Sequence, residues 1–437
     1  MTSRLLPRPP QEPASESRRP GLGRLPSGDA MRPAVPDEMP LYVFARLDHE
    51  IALRLRAGER VLDLTKSDPT LPPPARAVEA LRARALDRVA HHYPPFAGTP
   101  ELRAAVCDLY RERFGVHLDP DRNVYILAGA KEGLVHLASA LTAPGDGVLV
   151  PDPGFPAYCA AARLAGARAI DLPLWAREGH LPDLARPLRR AGGQVRLAYL
   201  NYPNNPTGAM ATPAYFAAVA DLARDEGLWI CHDFAYADIC RGALEAPSFL
   251  AAPGALSVGV ETITWSKSYA MQGFRLAALV GSASAIEAFA HVETNVMAGV
   301  PLCVQAAGVE ALAAGAEGAY LAATRRTYDD RLRRLAEPFE AAGWPPLVPP
   351  GAVYLWPEAP AGMDGHAFAR LLLDEAQVAV SPGADFGRLG EGRVRLSATA
   401  ADAVIDAAAD AIGALLRRRV LRAPTAEARE RAGARPT

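Results

Sequence analysis

Lysine is nearly missing from this chain. Its 47 basic residues include only Lys66, Lys131 and Lys267, which leaves 44 arginines. Arginine serves wherever a surface cation is enough, so each surviving lysine points to chemistry that a guanidinium cannot do. A guanidinium forms no Schiff base and does not readily lose its proton. Compositional drift would also leave a few lysines, and only their context decides. Cysteine is scarce too: Cys107, Cys159, Cys231, Cys240 and Cys303 have no Cys-x-x-Cys spacing, and most lie in apolar surroundings. Thiols so placed pack as small hydrophobes, which argues against a disulfide framework and for a reducing cytoplasm. No apolar run approaches the roughly eighteen residues of a membrane span, and a formal net charge of -2 leaves no basic field for nucleic acid. His91, His92, His136, His232 and His291 show no metal-ligand spacing and read as packing or surface residues, so no metal is expected.

What is there is a chain of 437 residues, half of them apolar, long enough to bury a large core and to form two or three domains. Residues 1–36 are rich in Pro, Arg, Ser and Gly without an apolar h-region, which predicts a disordered arm rather than a secretory signal. Val61-Leu62-Asp63-Leu64 runs into a Pro-stiffened stretch from Ser67 to Pro74. Leu102, Val106, Leu109, Tyr110 and Phe114 mark an amphipathic helix. From Asn123 onward, short apolar runs alternate with helical stretches: Val124 to Leu127, Gly147 to Val150, Val195 to Leu200, Leu228 to Cys231, Thr262 to Trp265 and Ala277 to Val280. That alternation predicts βαβ units and a mostly parallel sheet, an α/β fold. Beyond about Gln305 comes a long helical stretch through Tyr328 and Leu335, then short strands near Ala352 to Trp356 and Val378 to Val380. A closing helix carries Val404, Ile405, Ala408, Ile412, Leu415 and Leu416 on one face, so this part predicts a smaller α+β domain.

In open parallel sheets the chemistry collects beyond the carboxyl ends of the strands, and the polar motifs fall there. Thr264-Trp265-Ser266-Lys267 closes an apolar strand, and Arg275 follows in Gly273-Phe274-Arg275, placing a reactive amine near a phosphate-binding cation. Asp233 ends the strand that starts at Leu228, Tyr236 follows it, and Asn201-Tyr202-Pro203-Asn204-Asn205-Pro206-Thr207-Gly208 lies upstream. Singly, Asp233 reads as a strand-end cap, and Tyr236 and Phe155 as packing aromatics; their joint order is what points to a site. Ser266-Lys267 also has the order of a hydrolase dyad, but adjacent residues on a strand point to opposite faces, and that reading is rejected.

Together these motifs resemble fold-type I aminotransferases of class I/II, which share an Asn-Pro-Thr-Gly loop, an Asp-x-x-Tyr strand end and a Ser-x-Ser-Lys-like motif followed by Gly-x-Arg. The resemblance covers about Leu41 to Leu416. It implies an enzyme dependent on pyridoxal 5'-phosphate (PLP), with a sheet of the seven-stranded, mostly parallel type in a large domain (73–309). A segment (37–72) would join a small domain (310–420), and residues 421–437 would be a flexible tail. Lys267 would hold the cofactor as a Schiff base and then move the proton at the substrate Cα. Asp233 would keep the pyridine nitrogen protonated, making the ring an electron sink. Asn205 and Tyr236 would bond the ring's phenolic oxygen, and Phe155 in Pro153-Gly154-Phe155-Pro156 would stack on the ring.

By the same resemblance Gly129, Ala130 and Lys131, where a strand turns into a helix, would receive the phosphate, aided by Thr264, Ser266 and Arg275. Tyr93 would reach the phosphate in the neighbouring subunit, which implies a homodimer. Arg395 in Arg393-Val394-Arg395-Leu396-Ser397 would grip the substrate α-carboxylate with a bidentate pair, with Asn205 and Ser67 beside the substrate. Arg393 would point to the same side if this segment is a strand; Arg395 is favoured.

The fuller resemblance is to the LL-diaminopimelate aminotransferase-like group, through Leu41 to Ala45, Gly129 to Gly133, Asn201 to Gly208 and Pro382 to Gly387. Its implied reaction moves an amino group from an L-amino acid to a 2-oxo acid by a ping-pong cycle through pyridoxamine phosphate. Ser67, Gln272, Phe274 and Met297-Ala298 depart from the group's pattern near the expected pocket, and the apolar Met297-Ala298 argues against a substrate with a distal charge. The alternatives are another reaction of the same carbanion, such as elimination, cyclisation or oxidation, and a PLP-binding regulatory module. The leader before Asp37 is too short and too Pro-rich for the winged helix that such a regulator needs.

Overall fold

Short capping signals set where the elements begin and end. Thr99 accepts a hydrogen bond from the Leu102 amide (3.4 Å) just ahead of Pro100, and Gly115 closes that helix in the left-handed region at φ 68°. Thr212, Pro213 and Gly227 bracket a second helix in the same way. The computed structural model describes residues 42–424, so the arm 1–36 and most of the tail 421–437 lie outside the described residues.

In chain order the elements are α1 (Val43–Arg56), β1 (Leu62–Asp63), α2 (Ala75–Ala85), α3 (Pro100–Phe114), β2 (Val124–Leu127), α4 (Ala130–Leu141), β3 (Gly147–Asp152), α5 (Ala157–Leu164) and β4 (Arg168–Pro173). There follow α6 (Ala185–Arg190), β5 (Val195–Asn201), α7 (Pro213–Glu226), β6 (Trp229–Asp233), β7 (Gly259–Thr264), α8 (Trp265–Ser268), β8 (Ala277–Gly281), α9 (Ala283–Glu293) and α10 (Leu302–Ala316). The chain ends through α11 (Ala319–Ala341), β9 (Tyr354–Leu355), α12 (Gly365–Ala376), β10 (Val378–Ala379), β11 (Ser381–Pro382), β12 (Val394–Ser397) and α13 (Asp402–Arg418).

Seven strands form one sheet in the order β2-β8-β7-β6-β5-β3-β4. All are parallel except β8, which runs against both of its neighbours. The inner strands are buried on both faces because helices cover both, one side packing on Val106, Tyr110 and Phe216, the other on Leu134, Tyr158 and Phe289. β4 escapes the sequence reading because it is an edge strand: of its six residues only Leu172 is fully buried, so no apolar run announces it.

The strand predicted at Thr262 to Trp265 needs correction. β7 stops at Thr264, whose hydroxyl accepts a hydrogen bond from the Ser266 amide (3.2 Å) and starts the helical turn α8. Ser266 and Lys267 therefore sit on a turn, and the strand geometry invoked against a Ser-Lys dyad does not apply. The dyad is absent for another reason: the Ser266 hydroxyl receives the Thr264 hydroxyl, while the Lys267 amine donates to the Ser67 carbonyl.

A smaller layer follows. β11-β12-β9 form an antiparallel sheet and β1 pairs in parallel with β10. α11, α12 and α13 close over them around Leu332, Phe339, Phe368, Leu372 and Ile412, and Leu62 and Leu64 belong to this same core. The Leu64 amide donates to Ala379 and the Ser397 amide to Leu64, both at 2.9 Å, so the N-terminal segment is stitched into this layer and carries Ser67 onward to the sheet. Behind the sheet ends, the fully buried Glu261 carboxylate accepts from the Tyr110 and Ser248 hydroxyls, the Phe249 amide and the His232 ring, at 2.6–2.8 Å. A buried carboxylate is tolerable only when satisfied in this way, and the network fixes the residue next to Asp233.

Candidate active site

β5, β6 and β7 end side by side at Asn201, Asp233 and Thr264, and β2, beyond β8 in the same sheet, leads into Gly129, so these four parallel strands deliver polar groups to one crevice. The crevice is a cavity of about 480 Å³ bounded by Lys267, Asp233, Tyr236, Asn205, Arg275 and Arg395, and also by Ser67, Ala130, Lys131, Phe155, Thr264 and Ser266. Its size lies within the range of ordinary small-molecule sites.

Asp233 is buried, and its carboxylate accepts from the Tyr158 hydroxyl (2.7 Å) and the Thr262 hydroxyl (3.2 Å). Burial pushes its carboxyl above the usual carboxylate range, and those two hydrogen bonds pull it partly back. The Lys267 amine, donating to the Ser67 carbonyl, is lowered to about 8. Burial is the main cause; Asp68 and Asp233 oppose it, while Arg395 and Arg275 add to it. A desolvated amine of this kind spends more of its time neutral and nucleophilic.

At the other end, α4 begins at Gly129 with φ 109° and no side-chain cap, so the amides of its first turn are left to an incoming anion. A Cβ on Gly129 would collide with the Arg275 guanidinium, and Arg275 itself holds the left-handed region at φ 53°. Such strain in a non-glycine residue persists where the surroundings enforce it. The Lys131 amine lies 3.5 Å from the centroid of the Tyr42 ring. Gly129→Ala is expected to weaken cofactor retention and to cost roughly 1–3 kcal/mol of stability, from the steric clash and the positive φ together. Cofactor loss on dialysis and the thermal midpoint check this; unchanged values would mean that Arg275 need not approach the backbone here.

Arg395 is fully buried in β12, its guanidinium carbon 4.3, 4.6 and 5.1 Å from the ring centroids of Tyr354, Phe386 and Phe44. It donates to the Asn205 Oδ1 (2.8 Å) and the Thr65 carbonyl (2.6 Å), while its Nε has no partner. Burial pulls its pKa down, the cost of a desolvated cation matched only with neutral oxygens. Asn205 also donates its amide to Asn201, whose side chain donates to the Asp233 carbonyl, each at 2.7 Å, so one chain of hydrogen bonds ties the two ends of the cavity. Arg393 precedes β12 and pairs instead with Glu358 at 2.5 Å.

Tyr93 is not brought to the cavity of its own chain; its side chain is 88% exposed. Of the positions that depart from the family pattern, Ser67 and Gln272 line the cavity, whereas Phe274 packs beside the large core and Met297-Ala298 lie off the cavity wall. Their expected nearness to the pocket is thus not met within one chain, because the segment after α9 runs out beside Pro94 and Pro95. Tyr42, Phe44 and Tyr354 line the cavity and Tyr158 bonds Asp233; sequence reasoning assigned none of them to the site, although Tyr42 and Phe44 fall in the Leu41 to Ala45 stretch that carries the group resemblance. Tyr354 bonds the hydroxyls of both Ser67 and Tyr236. An aromatic residue inside an apolar run reads as core, and no spacing distinguishes these four.

An amine and a carboxylate sharing a cavity with an uncapped helix start fit a phosphorylated aldehyde whose ring nitrogen can take a proton, and that defines the class as the PLP enzymes of fold type I. Within it, the chain belongs to the aminotransferase class I and II family, which it matches over residues 59–412. It is 40% identical over 362 residues to an LL-diaminopimelate aminotransferase of Moorella thermoacetica, covering 83% of this chain and 92% of that one. It is 36% identical over 378 residues to the L-glutamine–4-(methylsulfanyl)-2-oxobutanoate aminotransferase of Bacillus subtilis, covering 86% and 94%. Among solved structures, substrate-bound BacF from Bacillus subtilis superposes with a TM-score of 0.83 at 31% identity, covering 91% of this chain and all of that one. The protein is a PLP-dependent aminotransferase that transfers amino groups between amino acids and 2-oxo acids. No helix among the described residues is long and apolar enough to cross a membrane.

Proposed function

We propose that Lys267 anchors the cofactor and moves the proton at the substrate Cα, with Asp233 at the ring nitrogen, Asn205 and Tyr236 at the phenolic oxygen, Phe155 against the ring face, and Arg395 on the substrate α-carboxylate. One observation carries this reading. A fully buried arginine with an unpartnered Nε shares a single cavity with a partly buried lysine and a buried aspartate, and a carboxylate ligand would complete the charge balance that the protein leaves open. Bound PLP supplies a ring that accepts the electron pair of the broken Cα–H bond. Arg395 fixes the substrate by its carboxylate and so aims that bond, and Lys267 takes the proton. The phosphate falls to the first turn of α4 at Gly129, Ala130 and Lys131, with Thr264, Ser266 and Arg275 alongside.

The substrate side chain meets Tyr42 and Phe44 on one wall, and the Lys66 amine near them is already paired with Asp48 at 2.9 Å. This favours an amino acid with an uncharged side chain. The test is a half-reaction screen over single amino acids, read by the cofactor's visible band and by mass detection of products. Uncharged amino acids are expected to give stoichiometric pyridoxamine phosphate and a 2-oxo acid. A preference for LL-diaminopimelate would overturn the side-chain assignment, and ammonia release without an acceptor would overturn the reaction.

The functional unit is a homodimer in the cytoplasm. Tyr93, Phe96 and Val296 are exposed, and Gly299 lies against Pro94 and Pro95, so the two segments present one apolar patch on which a second subunit would offer its cavity to Tyr93. The five cysteines are free, as a reducing compartment permits. A monomeric mass by light scattering in the holoenzyme would refute the shared site.

A further inference from the structure

The first two turns of α4 carry more than the anion cradle. Glu132 and His136, one helical turn apart, lie on the same face of α4, and Glu293 comes from the last turn of α9 to meet them. One ligand atom from each of the three lies within 4.8 Å of the others. His136 Nδ1 is 2.6 Å from Glu293 Oε2, and a Glu132 carboxylate oxygen completes the group of three. We propose that Glu132, His136 and Glu293 form a binding site for a first-row divalent cation of the Zn2+ type, with the Tyr125 hydroxyl as hydrogen-bond partner to a coordinated oxygen.

Two carboxylates this close repel each other unless a proton or a positive centre, the His136 ring or a cation, offsets them. A single shared proton would serve one contact, yet two more oxygens here have no partner: Glu132 Oε1, and the hydroxyl of Tyr125, which is only 2% exposed. Tyr125 stands on β2 beneath α4 and α9, its ring edge-on to Phe289 at 5.3 Å, one turn before Glu293. Burial first, and then Glu293 and Glu132, raise its phenol. Imidazole with two carboxylates is a donor set for Zn2+ or its neighbours, and a phenol bonded to a ligating oxygen is the usual supporting contact. Binding requires the His136–Glu293 hydrogen bond to open to the wider ligand spacing of a coordinated ion. His136, with 21% of its side chain exposed, leaves a way in. The sequence conceals the set because its third member lies 157 residues from His136.

Carboxylate and imidazole ligands bind a cation only in their deprotonated forms, so a cation entering this cluster competes with protons. The experiment is calorimetric titration of Zn2+ into the EDTA-treated, dialysed holoenzyme at pH 7, in two buffers of different ionisation enthalpy. One equivalent per chain is expected, with a heat that differs between the two buffers because binding releases protons. His136→Gln should weaken binding by at least about tenfold while leaving the bound-cofactor absorbance unchanged, since such supporting and ligating groups are worth that much or more. Glu293→Gln should do the same if it folds, and His91→Gln with His92→Gln should change nothing. Absence of saturable binding, or binding that His136→Gln leaves intact, would reduce the cluster to a proton-sharing pair and overturn the proposal.

Discussion

Lys267→Ala is expected to lose the covalently held cofactor and to cut turnover by roughly 10⁴-fold, the upper end of what a positioned general base contributes. Reduction with borohydride followed by peptide mass analysis checks the attachment, and single-turnover kinetics check the rate. Normal turnover in the variant would sink the assignment. The cost of keeping this amine is legible in the cofactor-free chain. Its pKa falls from 10.5 to about 8 on folding, so between those values the unfolded chain binds the proton that the folded chain releases. The folded state is therefore penalised by the full amount below about pH 8, and the penalty fades as pH rises toward 10.5. At about 1.4 kcal/mol per unit the penalty is about 3 kcal/mol, offset by roughly 1 kcal/mol for the hydrogen bond to Ser67. Lys267→Met, which keeps the buried stem, should thus stabilise the cofactor-free protein by about 2 kcal/mol at pH 7 and by little near pH 10. A gain that does not change with pH would place its cause in packing rather than in the buried charge.

How much of this was readable from the chain depends on where each residue sits. Asp233 ends a strand, Asn205 and Lys267 follow one within four residues, and Arg275 comes two residues before one, so each stands where an apolar run meets polar residues, and such breaks are visible in sequence. The break at Thr264 was placed one residue late because Trp265 prolongs the apolar run, while the Thr264 cap that ends the strand is a geometric event. Tyr158 illustrates the opposite limit. It lies on α5 at a position that suits a core residue, and only the packing of α5 on the sheet turns its hydroxyl to Asp233. Tyr42, Phe44 and Tyr354 surround the site from segments 300 residues apart in the chain, so no local pattern could assemble them. The division between Arg393 and Arg395 was open in sequence, since alternate strand residues share a face. The structure separates them because β12 begins only at Val394 and Arg393 turns to Glu358.

The second large effect is expected at Asp233. Asp233→Asn removes the charge and keeps one acceptor oxygen, enough for the Tyr158 hydroxyl, while its NH2 can donate to the Thr262 hydroxyl once that rotates, so the fold and the cofactor content should survive. If Asp233 faces the ring nitrogen as proposed, without the carboxylate nothing would hold that nitrogen protonated, and the ring would lose most of its pull on the electron pair left at Cα. Losing a single preorganised electrostatic partner of this kind costs about 10²–10³-fold in kcat, and here the upper figure is expected because the group is buried and little screened by solvent. The slowed step should be Cα–H cleavage. An α-deuterated substrate would then show a larger isotope effect with the variant than with the parent enzyme, while Arg395 still holds the carboxylate and leaves substrate affinity nearly unchanged. A fall in affinity with an unaltered isotope effect would instead put Asp233 among the groups that shape the pocket. Retention of most of the parent rate would detach it from the ring altogether.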